Sequence, residues 1–243
     1  VARRPVSTRP GLALQQRTHR LILSRFPTIG IFDGLGATEA ELRAGFLFEA
    51  LTNDRMTQAE ARLSHLGAGE IINGNTASLV MAAFLHANDE GGRFTDGRLG
   101  GWYGSFDVET AIEETAFHNH RRLAASENGF PNRMHLRELI AEVAGDFFNA
   151  RRGGGCDEGE IERLSDPDPA SYATTQAFAA ALRWPPDGPP GEGILYDSVR
   201  HPGGVNVCVW LPSRVRLPVL QGDHYEYAWD AGGGMTRHRL VAV

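Results

Sequence analysis

An arginine, a tyrosine and a glutamate stand ten and then eleven residues apart in RFTDGRLGGWYGSFDVETAIEETAFHNH, the segment from Arg93 to His120. Arg93 falls at the mouth of a loop, Tyr103 on a short aromatic strand, and Glu114 in the helix that follows. A guanidinium offers a planar fork to two oxygens and a charge that does not titrate, whereas a carboxylate offers only acceptors. Counted from Asp107 as N-cap, Glu114 shares a helix face with Thr110 and Phe117. Val108, Ala111, Ile112 and Thr115 cover another side, which leaves Glu114 able to point away from the main core. Taken alone, Glu114 reads as a solvated helix residue, Arg93 as a surface charge and Tyr103 as a core aromatic.

Other chemistries lack their residues. There is no HExxH, no GxSxG and no GxGxxG between a strand and a helix, so zinc peptidase, α/β-hydrolase and Rossmann readings have no support. The chain contains no lysine, and all 24 of its positive residues are arginines. That excludes Schiff-base lysines, P-loops and kinase-type phosphate lysines. Cys156 and Cys208 form neither a CxxC pair nor a metal-ligand spacing. His118 and His120, two apart, do not share a helix face and read as solvated or capping residues, so no metal is expected.

The elements that must position these residues are helical early and β-rich late. Thr38 and Glu41 form a capping-box pattern ahead of Leu42, Phe46, Phe48 and Leu51, so the first third reads as helical. Further helices are expected over Thr76–His86, from Asp107 onward, and from Asp168-Pro169 through Tyr172, Phe178 and Leu182. GILYDSV (193–199) and VNVCVWL (205–211), separated by His201-Pro202-Gly203-Gly204, suggest a hairpin. HYEYAW (224–229) and MTRHRLV (235–241) suggest another. Without regular βαβ alternation the fold class is α+β, a single domain over 1–243. Its helical N-terminal portion covers about 1–90, and the site-bearing core about 91–243.

A chain of 243 residues, 42% hydrophobic and 22% charged, can bury one sizeable core. Its net charge of −6 opposes binding to a nucleic-acid backbone. The longest apolar stretch, Ala77–Leu85, is far short of the ~20 residues of a membrane-spanning helix. The Val1–Pro5 start lacks the apolar run of a secretory leader, so the expected location is cytoplasmic, with neither nucleic acid nor membrane as partner.

The Arg93–His120 block resembles the RES domain, a family of bacterial toxins named for an arginine, a glutamate and a serine. Arg93-Phe94, Tyr103 and Glu114 match its first block. GILYDSVRHPGGVNVCVW is similar to the second and places the serine at Ser198. HRLILSRFP is similar to an N-terminal segment whose pocket arginine corresponds to Arg20, with His19 where an aromatic is usual. EALTNDRM, the MAAF run, YATTQAFAAALR and HYEYAWD fit the longer branch of the family.

The resemblance implies a mainly antiparallel split sheet like that of NAD-dependent ADP-ribosyltransferases, and a substrate, NAD, that is split at its nicotinamide bond. It implies Glu114, Tyr103 and Arg93 as catalytic residues, and Arg20, Arg93, Tyr103 and Ser198 as NAD-binding residues. Which of Arg20 and Arg25 lines the pocket stays open. It also implies a cognate antitoxin, Xre-like or helical, that blocks the pocket. Transfer of ADP-ribose to a protein acceptor is the favoured outcome, because helices and loops beyond a minimal pocket provide surface for a macromolecule. Water or phosphate as acceptor would make the chain an NAD glycohydrolase or phosphorylase. From a different class, a catalytically silent antitoxin-binding module is the alternative.

Overall fold

Five of the described strands close on themselves to frame the site, and two more extend the sheet. The structure, a computed structural model, describes residues 11–24, 33, 38–42, 44 and 61–240. The strands are β1 (Gly11–Leu23), β2 (Trp102–Ser105), β3 (Asn132–Asn149), β4 (Gly193–Asp197), β5 (Val205–Val209), β6 (Leu220–Trp229) and β7 (Met235–Leu240). Sheet order is β1-β2-β5-β4-β3-β6-β7, and β1 also pairs with β3. The pairings therefore join β1, β2, β5, β4 and β3 into a ring, from which β6 and β7 extend. Only β3–β4 is parallel. The α+β class and the mainly antiparallel sheet are as expected.

The helices that pack on the sheet around the site are α1 (Ala77–Leu85), α2 (Val108–Ala124), α3 (Glu158–Leu164) and α4 (Tyr172–Arg183). α1 is apolar nearly all round and is buried against one sheet face, where Val80, Met81 and Phe84 meet Trp102, Val143, Val207 and Val209. Each such side chain contributes on the order of 1.5–3 kcal/mol relative to exposure. α2 lays Ala111, Ile112, Ala116 and Leu123 on Leu21, Leu136, Tyr225 and Tyr227. α3 and α4 cover Phe94, Phe148, Ile194 and Trp210. β5 alternates as a strand buried on both faces must: Val207 and Val209 face α1, while Asn206 and Cys208 face the other way.

Both late hairpins form as expected, β4 with β5 and β6 with β7. Asp107 caps α2 by accepting from Thr110 N at 2.7 Å, and Asp168 accepts from Ala170 N in the 3-10 turn that leads into α4. Thr38 and Glu41 make the reciprocal capping bonds; Phe46, Phe48 and Leu51 lie outside the described residues. The helical reading of the first third is corrected at its start, because residues 11–23 form a strand. GLALQQRTHRLIL pairs with β3 along its whole length, from Gly11 opposite Phe148 to Leu23 opposite Leu136. No helix among the described residues is long and apolar enough to cross a membrane.

Candidate active site

A cavity of about 1030 Å³ opens between β1, β2, α2, the 88–93 loop and the start of α4. Arg20, Arg93, Tyr103 and Glu114 all line it. Ser198, the other expected ligand contact, does not: its hydroxyl instead donates to Glu114 Oε1 at 2.7 Å, behind the carboxylate. Arg25 lies outside the described residues.

Glu114 is held by two donors on one oxygen. Besides Ser198, Asn206 Nδ2 donates to Oε1 at 2.8 Å. Asn206 is 2% exposed and oriented in turn by Ser105 Oγ, which donates to its Oδ1 at 2.6 Å. Oε2 has no hydrogen bond among the described residues; His118 Nε2 approaches it to 4.0 Å, one helical turn on. The carboxylate thus has a fixed back and an open front. Ser198 is itself seated by Arg200 N and His201 N, which donate to its hydroxyl at 3.1 and 3.0 Å. His201 Nδ1 in turn meets Thr110 Oγ1 at 2.8 Å, tying the β4–β5 turn to the first turn of α2.

Arg93 projects from a tight turn in which Gly92 N donates to Thr95 O. A Cβ on Gly92 would lie 2.7 Å from Tyr103 Oη, so glycine is what lets the tyrosine approach. Tyr103 Oη accepts from Phe94 N at 2.9 Å and meets Thr95 Oγ1 at 3.1 Å. Burial pushes the phenol well above its ordinary range, so Tyr103 offers a ring to the cavity and no titratable proton at neutral pH. Arg93 is 6% exposed, and its guanidinium lies 4.8 Å from the centre of the Tyr172 ring. Nη1 donates to the carbonyls of Leu164 and Asp166 at 3.1 and 2.7 Å, while the buried Nη2 has no hydrogen-bond partner among the described residues. A buried cation held by neutral carbonyls, with one donor unused, is built to receive an anion.

Arg20 donates from Nη1 to Tyr103 O at 3.1 Å, and burial lowers its pKa. Among the described residues neither Arg20 nor Arg93 pairs with a carboxylate. Arg121 and Arg122 add two more cations to the wall, against Glu90 and Glu114. His118 keeps its side chain 46% exposed, as a solvated residue would, and also lines the cavity. Desolvation in the cleft, followed by the charges of Arg200, Arg93 and Arg121, lowers it to about 4, so at neutral pH it is an uncharged wall residue. Asn206 was not foreseen; its signal is an amide within the apolar run VNVCV. No cluster of metal-ligating side chains occurs among the described residues.

The sequence pattern of the RES domain family matches residues 71–230. The chain belongs to the RES domain family. It is 27% identical over 223 residues to the uncharacterized protein y4oC of Sinorhizobium fredii, covering 90% of this chain and 85% of that one. A chain of the M. tuberculosis MbcT-MbcA toxin-antitoxin complex is similar with a TM-score of 0.43 and 12% identity, over 90% of this chain and 87% of its own. The RES match begins after β1, so Arg20 lies outside it and enters the site through the closure of the β ring.

Proposed function

We propose that this RES-domain chain is a toxin that cleaves NAD at the nicotinamide–ribose bond and transfers ADP-ribose to a protein acceptor in the cytoplasm, arresting growth. The observation that carries this reading is Glu114, fixed on Oε1 by Ser198 and Asn206 and open on Oε2, in a cavity where Arg20 and Arg93 have no acidic partner among the described residues.

Nicotinamide in NAD is a cationic leaving group and needs no acid to depart. The barrier lies in the positive charge that develops on the ribose, and Glu114 supplies a preorganised negative charge against it. Neutral His118 adds no opposing charge at this point. The tethered Tyr103 ring stacks on nicotinamide, and Arg93 and Arg20 receive the diphosphate. Ser198 and Asn206 position the carboxylate. A cognate antitoxin would neutralise the toxin by placing a carboxylate or amide segment against the same arginines.

Inducible expression of the chain alone in a bacterial host, with NAD and nicotinamide followed in extracts, tests this. Growth should stop as NAD is consumed, and Glu114→Gln should abolish both effects. Stable NAD and normal growth in cells that accumulate soluble wild-type protein would overturn the reading.

A further inference from the structure

A second buried carboxylate serves the same cavity through a histidine. Glu138 on β3 is 4% exposed, and its Oε1 lies 2.5 Å from His19 Nδ1. Oε2 accepts from Asp223 N at 3.0 Å. Residues 119 apart in sequence meet here because the β1–β3 register sets Leu21 opposite Glu138 and so puts Glu138 on the face that Leu21 shares with His19.

The β6 backbone is shaped around this carboxylate. Arg137 pairs with His224 and Leu139 with Gln221, leaving Gly222 and Asp223 together opposite Glu138. That bulge carries the Asp223 N–H onto Oε2, and a Cβ at position 222 would lie 2.2 Å from that oxygen. With both carboxylate oxygens accepting, Nδ1 of His19 is the donor to Glu138, which leaves Nε2 as the ring nitrogen that can accept. Nε2 has no hydrogen bond among the described residues, and His19 lines the cavity. In the β1–β2 pairing His19 stands opposite Ser105, the first member of the Ser105–Asn206–Glu114 chain. The two carboxylate-anchored groups therefore share one face of the ring.

We propose that the His19–Glu138 pair is the general base of the second half-reaction, with His19 Nε2 taking the proton of the nucleophile that captures the ribose. This rests on the NAD-cleaving reading above. The C1′–N bond breaks and its electron pair leaves with nicotinamide. A lone pair of the acceptor oxygen or nitrogen forms the new bond to C1′, and the acceptor's proton passes to Nε2. Glu138 stabilises the resulting imidazolium until solvent removes the proton. Charged or titratable groups on the surrounding elements are Arg20 on β1, Tyr103 on β2, Glu114 and His118 on α2, Asp223 and Tyr225 on β6, and Arg239 on β7.

Base exchange separates the halves of the reaction, because incorporation of labelled nicotinamide into NAD needs bond cleavage but no acceptor proton. Water serves as the probe acceptor. His19→Asn keeps an N–H where Nδ1 donates to Glu138 and removes Nε2. ADP-ribose formation should fall about 10²-fold or more, the contribution of a positioned general base, while base exchange falls less than about threefold. Glu138→Gln should lower ADP-ribose formation about tenfold with exchange likewise kept. In His19→Ala, added imidazole should restore part of the hydrolysis, a rescue that a purely structural histidine would not show. Equal loss of hydrolysis and exchange in His19→Asn, or no loss of either, overturns the proposal. Wild-type protein that neither cleaves NAD nor exchanges nicotinamide overturns the NAD reading itself, whereas unchanged hydrolysis in His19→Asn overturns the base alone.

Discussion

Replacing Glu114 with glutamine changes charge and little else at this site. A glutamine carbonyl in place of Oε1 still accepts from Ser198 and Asn206, and the amide nitrogen takes the open position of Oε2. No buried donor is orphaned, so the fold should be kept. What disappears is the negative charge facing the ribose. At about 4 Å and an effective dielectric of about 20, an opposite-charge contact is worth about 4 kcal/mol. Loss of one preorganised electrostatic contact in enzymes costs about 10²–10³-fold in turnover, which agrees. Glu114→Gln should therefore lower the rate at saturating NAD by at least about 10²-fold with little change in NAD affinity. The control is Glu113→Gln on the neighbouring face. Glu113 meets Arg237 at 2.5 Å in a part-exposed pair, so its loss should cost at most about 1 kcal/mol of stability and leave turnover intact. Nicotinamide release and direct NAD binding, measured for both variants, decide the matter. Full turnover in Glu114→Gln, or its loss in Glu113→Gln, refutes the assignment of the carboxylate.

Ser198→Ala should reduce nicotinamide release about tenfold or more, since one of two donors to a catalytic carboxylate is lost; unchanged turnover would remove its positioning role. Arg93→Ala deletes the buried cation beside Tyr172 and should weaken both NAD binding and turnover, which titration calorimetry and kinetics would show. Gly222→Ala forces a Cβ toward Glu138 Oε2 and should lower the melting temperature and ADP-ribose formation together. His118 has a folded pKa of about 4 against 6.5 as the ordinary value, so between these limits the unfolded chain binds more protons and stability falls as pH falls. His118→Gln should therefore show a smaller drop in melting temperature from pH 6.5 to pH 4 than the wild type; an equal drop would contradict the shift.

Much of the site is legible because its residues belong to local patterns. The Asp107 cap sets the phase of α2, and that phase alone aims Glu114 away from Ala111 and Ile112. The glycines at 91 and 92 announce the turn that carries Arg93. Strands β1 and β3 are not legible in the same way. QQRTHR has no apolar residue and RELIAEV mixes charged with apolar ones without strict alternation, and what holds them extended is their pairing with one another across more than a hundred residues. Glu138 and His19 are invisible for that reason, since only register and the Gly222–Asp223 bulge bring them together. Ser198 is legible as a residue but not in its direction, which depends on how His201 ties the β4–β5 turn to Thr110.

Incubation of the purified wild-type chain, free of any partner, with NAD, and separation of the products, tests the central claim most directly. The geometry around Glu114 predicts stoichiometric free nicotinamide, with the ADP-ribose recovered on an acceptor or in solution, and its loss in Glu114→Gln. Folded protein that leaves NAD intact, or that releases nicotinamide at an equal rate after Glu114→Gln, would contradict it.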